Sequence, residues 1–408
     1  MLHLFFSTKE IISDTIEKIK FNYLPFPMKT GDDEIHLKAV IDWLEEASKN
    51  GKGGVSSHYS LLKGKWLHPF PETTGYIIPT LYDYAEHSSE TKYKELAKKL
   101  CDWLVSVQLP DGGCVQGSYD EKKGKTKAII FNTGQNILGF LRTYLETNDK
   151  KYSDAAVRAG DLLTESIDEN GIWIKNLHRG LKHTINTRTC WSLLELNKVV
   201  PKEAYIKTAV SNLNWTLDQQ TENGWFRHGS SRENGLPNTH FLAYTYEGLI
   251  QSYRILKDKK YLEAAEKTAG RMMRIFENRK MLYAFWDDKW TNQGRYLKNG
   301  RGKYLCVTGN IQISIVWMWL FEETGDHRYL NAALKMLDYI KTTQNLSSGN
   351  PGIRGGIKGS FPVYGAYSTM SFPNWAAKYF ADALMLKVKL MKKVEKDFQQ
   401  ELKKEIQS

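Results

Sequence analysis

One pair of residues keeps returning along the chain, and it limits the fold more than anything else. A tyrosine followed four positions later by an alanine opens an amphipathic stretch at Tyr93/Ala97, Tyr152/Ala156, Tyr205/Ala209, Tyr261/Ala265 and Tyr329/Ala333. Successive tyrosines are 59, 53, 56 and 68 residues apart. Residues i and i+4 lie one above the other on a helix, so the pair marks a packing contact repeated from unit to unit. A sixth copy is expected near the start, where Thr30 to Ala39 (TGDDEIHLKA) aligns on Thr324 to Ala333 (TGDHRYLNAA), with Ile35 in the tyrosine's place. A long period made of two helices is a repeat architecture.

Each amphipathic stretch ends in a turn with glycine or asparagine, as at Gly53-Gly54, Gly112-Gly113, Asn170-Gly171, Asn223-Gly224, Asn278 and Gly355-Gly356. Such residues supply the positive φ that a helix end demands. An apolar helix follows each turn, opening at Glu72-Thr-Thr-Gly-Tyr76, Asn132-Thr-Gly-Gln135, Asn186-Thr-Arg188, Asn238-Thr-His240, Thr308-Gly-Asn310 and Pro373-Asn-Trp375. Asn, Thr and Pro here read as helix-start residues that cap free N–H groups or preset the first turn. The expectation is an all-α chain of six hairpins and about twelve helices. A hairpin cannot bury its apolar face without neighbours, so residues 31–393 form one domain. Residues 1–30 read as a lead-in with a short helix from Ile11, and residues 394–408 as a basic amphipathic tail. The tail is read as a solvated helix end in preference to a membrane-surface anchor.

Hydrophobic residues make up 41% of the chain and aromatic residues 12%, enough for a large core and against disorder. The net charge of +11 favours anionic partners. Basic residues are dispersed, not striped, so nucleic acid is not the expected partner. Four cysteines, Cys101, Cys114, Cys190 and Cys306, have neither disulfide-framework nor zinc-ligand spacing, so no metal and no cofactor are expected. The N-terminal apolar run Leu2 to Phe6 is too short for a signal peptide or a membrane span, and a cytoplasmic location is read.

Connection lengths give the repeat a direction. Links from apolar to amphipathic helix are short (Lys257 to Lys260), while the return links are long (Met281 to Val307). Long loops carry function on a rigid frame. If the apolar helices form an inner ring, their N-termini converge on one funnel, each with partial positive charge and free N–H donors.

Six such hairpins resemble the (α/α)6 toroid of six-hairpin glycosidases, polysaccharide lyases and uronate or N-acyl-sugar epimerases. Gly53-Gly54-Val55-Ser56, Pro71 to Thr80 (PETTGYIIPT), Phe131 to Gln135 (FNTGQ) and Asn374 to Lys378 (NWAAK) also resemble toroid proteins associated with polysaccharide gene clusters. The resemblance implies a closed ring of inner and outer helices and a glycan substrate. It does not choose the reaction, since one fold hosts several chemistries.

The loops are rich in aromatic residues suited to pyranose faces: Trp66 (beside His68), Trp173, Trp225, Phe226, Trp286, Trp290, Tyr296, Tyr304 and, in the last loop, Tyr364. The competing reading is that they plug gaps between hairpins. On the apolar helix from Thr239, His240, Tyr244, Glu247 and Gln251 form one polar stripe. Asn132 with Gln135, Arg188 with Trp191, Asn310 with Gln312, and Asn374, Trp375 and Lys378 with Asp382 make comparable stripes. Such residues either face a ligand or cross-link the inner helices.

A glycosidase needs two carboxyl groups flanking the bond. Glu72 and Glu247 are the candidates, with Asp287 and Asp288 as substitutes. A uronate lyase or epimerase needs the substrate carboxylate neutralised and a Tyr or His to move the proton. Asn132, Gln135, Arg188, His240, Tyr244, Asn310 and Lys378 suit that chemistry. The first reading is therefore an enzyme acting on an acidic glycan, with Glu72, His240, Tyr244 and Glu247 catalytic. The alternative is a non-catalytic glycan-binding or assembly protein on the same frame. A third, a terpene-cyclase or prenyl-transfer relative suggested by Gln108 to Gly112 (QLPDG), lacks an acidic cluster or zinc ligands to support it. Oligomeric state is not legible.

Overall fold

The computed structural model describes residues 2–23, 31–120, 127–279, 281–291 and 304–407. Helix α1 (Leu2–Tyr23) leads in, and among the described residues twelve α-helices follow in alternation. The outer set is α2 (Asp33–Lys49), α4 (Lys92–Ser106), α6 (Lys150–Glu165), α8 (Glu203–Asp218), α10 (Lys259–Arg279) and α12 (His327–Thr343). The inner set is α3 (Pro71–Ser88), α5 (Ile130–Thr147), α7 (Thr187–Val199), α9 (Thr239–Leu256), α11 (Val307–Thr324) and the first part of α13 (Asn374–Gln407). Successive inner helices pack side by side, α13 returns to α3, and α2 covers α13. The ring is closed. Among the described residues five strands of two or three residues, β1 (His58–Ser60), β2 (Lys65–Trp66), β3 (Leu305–Cys306), β4 (Ser360–Phe361) and β5 (Ser371–Pro373), tie loops together at one end. The antiparallel pair β1–β5, with Tyr59 opposite Phe372, joins the first hairpin to the last.

Why the inner ring is tight can be read from its glycines. A Cβ on Gly75 would meet the Asn136 Cα at 2.8 Å, and one on Gly134 the Thr189 Cα at 3.0 Å. One on Gly248 would meet the Thr187 carbonyl carbon at 2.2 Å, and one on Gly309 the His240 backbone nitrogen at 2.5 Å. Each seam between neighbouring inner helices from α3 to α11 is thus set by a missing side chain. The outer helices instead use the tyrosine/alanine pair. Tyr93, Tyr152, Tyr205, Tyr261 and Tyr329 are all buried, as are Ala97, Ala156, Ala209, Ala265 and Ala333. Ala265 has no accessible surface, so Ala265→Trp is expected to overpack the α10 seam and cost about 1–3 kcal/mol. Denaturant unfolding measures this, and a thermally silent variant would remove the contact from the account.

Several details depart from expectation. In the sixth copy, Ile35 is 58% exposed, and His36 and Leu37 are buried in its place. The reason is that α2 closes the ring against α13, so a different face turns inward; His36 Nδ1 meets the Gln344 side chain. The lead-in helix begins at Leu2, not Ile11, and α13 runs unbroken through the expected tail boundary. Of the expected caps, Asn238 accepts a hydrogen bond from the Phe241 N–H at 2.8 Å. Asn132, Asn310 and Asn374 lie within the first turns and donate outward, to the carbonyls of Val115, Leu282 and Ser56. They pin the preceding loop to the helix. Among the described residues no helix is long and apolar enough to cross a membrane, and no group of three or more His, Cys, Asp and Glu side chains is placed to hold a metal ion.

Candidate functional site

The first turns of the inner helices and all the long loops share one end of the ring. Glu72 stands in the first turn of α3, partly accessible. Burial pushes its carboxyl up to about 8, with the Arg188 guanidinium pulling the other way. Across the ring, His240 occupies the first turn of α9 and is 6% exposed. Burial and, to a smaller degree, Arg188 push its imidazole down to about 4 against the hydrogen bond it donates to the Gln312 side chain. At neutral pH Glu72 is therefore protonated and His240 neutral.

A chain of side chains fixes the tautomer of His240. The Gln312 amide donates to Glu247 Oε1 at 2.9 Å, which leaves its carbonyl oxygen facing His240 Nδ1. His240 must then carry its proton on Nδ1, and Nε2 is the acceptor, without a hydrogen-bond partner among the described residues. Glu247 also takes a hydrogen bond from the Arg188 guanidinium, and Arg188 Nε donates to Gln135 Oε1 at 2.8 Å. Both ions are sealed: Arg188 is 2% and Glu247 0% accessible. The relay His240–Gln312–Glu247–Arg188–Gln135 thus crosses four inner helices.

Three tyrosines block the lumen at the level between these groups. Tyr244 of α9 hydrogen-bonds Tyr76 of α3, and its ring lies 6.3 Å from Tyr379 of α13 and 4.9 Å from Phe131. Tyr76 and Tyr379 are 6.0 Å apart. Burial holds all three hydroxyls above their usual range. Above this barrier lie Glu72 and His240, with Tyr367 packed 5.6 Å from the His240 ring and the Trp375 indole donating to the Tyr367 hydroxyl at 2.9 Å. Phe70 meets Trp375 edge-on at 6.4 Å. Below it the lumen widens into a cavity of about 840 Å³ that includes Arg188, Glu247 and Lys378 and opens at the opposite end.

The expected site residues therefore divide. Glu72, His240, Tyr244 and Trp375 gather at the loop end. Arg188, Glu247 and Lys378 lie beneath the tyrosines; Lys378 bonds Asp382 at 2.5 Å and sits 4.2 Å over the Tyr379 ring. Burial does push the Glu247 carboxyl up, against Arg188, Lys378 and Gln312, yet its oxygens are engaged, so it orients Gln312 and is not a free acid. Gln135 and Gln312 are links in the relay, and Asn132 and Asn310 hold loops.

The aromatic platform is corrected by burial. Trp173, Trp225, Phe226, Trp286, Trp290 and Tyr304 are all buried. Trp286 donates to Thr239 Oγ1 at 3.0 Å, and Trp225 packs edge-on against Trp290 of the next loop at 5.3 Å. These rings plug gaps between hairpins. Trp66 is half-buried against Trp43 and Tyr59; His68 and Tyr364 are exposed, and Tyr296 lies outside the described residues. Asp287 accepts from the Thr291 N–H at 2.7 Å and shapes a turn, while Asp288 is exposed and its carbonyl accepts from Asn223. Neither is brought to Glu72.

Tyr76, Tyr367 and Tyr379 were not singled out by sequence reasoning. For Tyr76 the signal exists, since Glu72, Tyr76 and Thr80 stand at i, i+4 and i+8 on an apolar helix.

No family model matches the sequence, and no curated protein sequence does either. Solved structures do match. An unsaturated glucuronyl hydrolase specific for heparin is 18% identical, with 89% of this chain and 99% of that one covered at a TM-score of 0.69. Cellobiose 2-epimerase from Bacillus thermoamylovorans is 13% identical, with 87% and 97% covered at 0.68. An unsaturated glucuronyl hydrolase from Bacillus sp. GL1, responsible for the degradation of glycosaminoglycan, is 13% identical, with 87% and 96% covered at 0.67. Overlap of nearly the whole length of each chain establishes that this protein has the (α/α)6 toroid fold.

Proposed function

We propose that the protein is a carbohydrate-active enzyme working by acid–base chemistry at the loop end of the ring, on an oligosaccharide that carries uronate or other acidic groups. Glu72 donates a proton and His240 Nε2 accepts one. What carries this reading is the placement of the two in first turns at the loop end, where burial pushes the carboxyl up to about 8 and the imidazole down to about 4. Enzymes that trade protons near pH 7 are built from groups displaced in this way.

No other carboxylate contributes to the Glu72 shift, whereas Arg188 does. Glu247 is tied into its ion pair. Two free carboxyl groups are what glycoside hydrolysis ordinarily requires, so the arrangement favours proton transfer at carbon, elimination or epimerisation beside a carboxylate, over a two-carboxylate hydrolysis. The acidic substrate class rests on the +11 charge and the six inner-helix N-termini at this end. The glucuronyl hydrolases of the same fold act on material of that class.

The test is to incubate the protein with uronate-containing and neutral oligosaccharides in D₂O and follow products and C–H exchange by NMR. Deuterium beside the carboxylate, with kcat/KM falling as salt screens the charges, is expected. Equal turnover of neutral substrates would remove the acidic class. Binding of acidic oligosaccharides without turnover or exchange would put the binding and assembly role first.

A further inference from the structure

The cavity below the tyrosine barrier is not used by the chemistry at the loop end. It lies where the inner helices finish, the end at which short links join inner to outer helices among the described residues, and its volume of about 840 Å³ falls within the range of ligand sites. Glu72, His240 and Tyr244 do not line it. Whatever enters there meets a different surface.

The charges inside the chamber are already matched. Arg188 is paired with Glu247, Lys378 with Asp382 at 2.5 Å, and Arg142 with Asp83 at 2.5 Å and Glu86 at 2.6 Å. The mouth adds both signs, Glu195 from α7 and Lys389 and Lys392 from α13. Inside the chamber, past that mouth, an ionic ligand would have to break one of these pairs or lie against a like charge, and separating a buried pair is costly. An uncharged ligand with hydroxyls can use the lone pairs and N–H groups left over. The walls between the charges are flat or apolar. Trp191 and Trp319 are half-buried there, and Leu138 and Ile315 are also in the wall. The Trp191 indole donates to Glu195 at 3.1 Å, which holds its ring in place. Aromatic faces beside hydrogen-bonding groups suit a ring that is apolar on one face and hydroxylated at its edge.

We infer that this chamber is a second binding site, for a short neutral oligosaccharide, entered from the end of the ring opposite the Glu72–His240 site and separated from it by Tyr76, Tyr244 and Tyr379. The inference stands apart from the reaction assigned to the loop end. A neutral sugar bound there lies beneath the Arg188–Glu247 pair, whose Glu247 is two links from His240.

The experiment is saturation-transfer NMR with titration of short neutral gluco-, manno- and galacto-oligosaccharides, on the full chain. Binding is expected in the unaltered protein, and about tenfold or more weaker in Trp191→Ala, which removes a wall, and in Ile315→Trp, which fills the space. Glu72→Gln should bind as the parent does. Trp191 is half-buried, so its variant carries the test should Ile315→Trp not fold. Four results would overturn the inference. They are no binding of any neutral oligosaccharide, binding indifferent to Trp191→Ala, loss of binding in Glu72→Gln, or tighter binding of acidic than neutral oligosaccharides that is abolished by Trp191→Ala.

Discussion

Glu72→Gln is expected to lower kcat by about 100-fold or more, the scale of a general acid contribution, while the protein stays folded. Glutamine keeps the shape of the carboxyl but has no proton to give. With Glu72 as acid and His240 as base, activity requires the first protonated and the second neutral. The rate should form a plateau bounded by limbs at about 4 and about 8, and Glu72→Gln should erase the alkaline limb along with most of the rate. Stability must move in a matching way. The carboxyl is raised from 4.5 to about 8 on folding, so its contribution is fully present below 4.5 and is lost as pH rises through about 8. The glutamine variant, free of that loss, should gain on the parent across this window by on the order of 1–2 kcal/mol, discounted for water reaching the pit. For His240, lowered from 6.5 to about 4, stability is lost as pH falls through that interval. His240→Ala should cut turnover comparably, but it also costs stability, because the buried imidazole ends the Gln312 link. A full rate in Glu72→Gln, or an unchanged alkaline limb, would move Glu72 from the chemistry to the frame.

The ring was legible because its contacts are local in kind and repeated. Tyr261 and Ala265 are one helical turn apart, so a single stretch of chain displays both halves of the contact. Ile35 misled because which face of α2 turns inward is decided by α13, over three hundred residues away. Glu72 and His240 could be found as polar residues at the starts of apolar helices. Their protonation states could not, since these follow from burial and from Arg188, supplied by a third helix. The loop aromatics were ambiguous for the same reason. Trp225 sits in a polar loop, and only the approach of Trp290 from the next hairpin makes it interior. The large cavity left no trace at all. It depends on the level at which Tyr76, Tyr244 and Tyr379 meet across the ring, and no spacing along the chain encodes that.

The ion pair beneath those tyrosines should give the largest stability effect in the molecule. Arg188→Met or Glu247→Leu alone leaves an uncompensated charge among buried groups and is expected to cost about 3–5 kcal/mol. The double variant removes both charges, so it should be no worse than the poorer single. It will not reach parent stability, because the Gln135 and Gln312 amides lose partners, at about 1–3 kcal/mol for a buried group left unpaired. Urea unfolding of the four proteins measures the cycle, and the double variant should fall at least about 2 kcal/mol short of the summed singles. Additivity would mean that cavity water already solvates the two ions separately, despite accessibilities of 2% and 0%. The same cycle reports on the loop end. Without Glu247 nothing obliges the Gln312 amide to point away from His240, and the imidazole can take the other tautomer, with Nε2 protonated. Glu247→Leu should therefore lower kcat and leave KM nearly unchanged, a split that simple loosening of the fold would not produce.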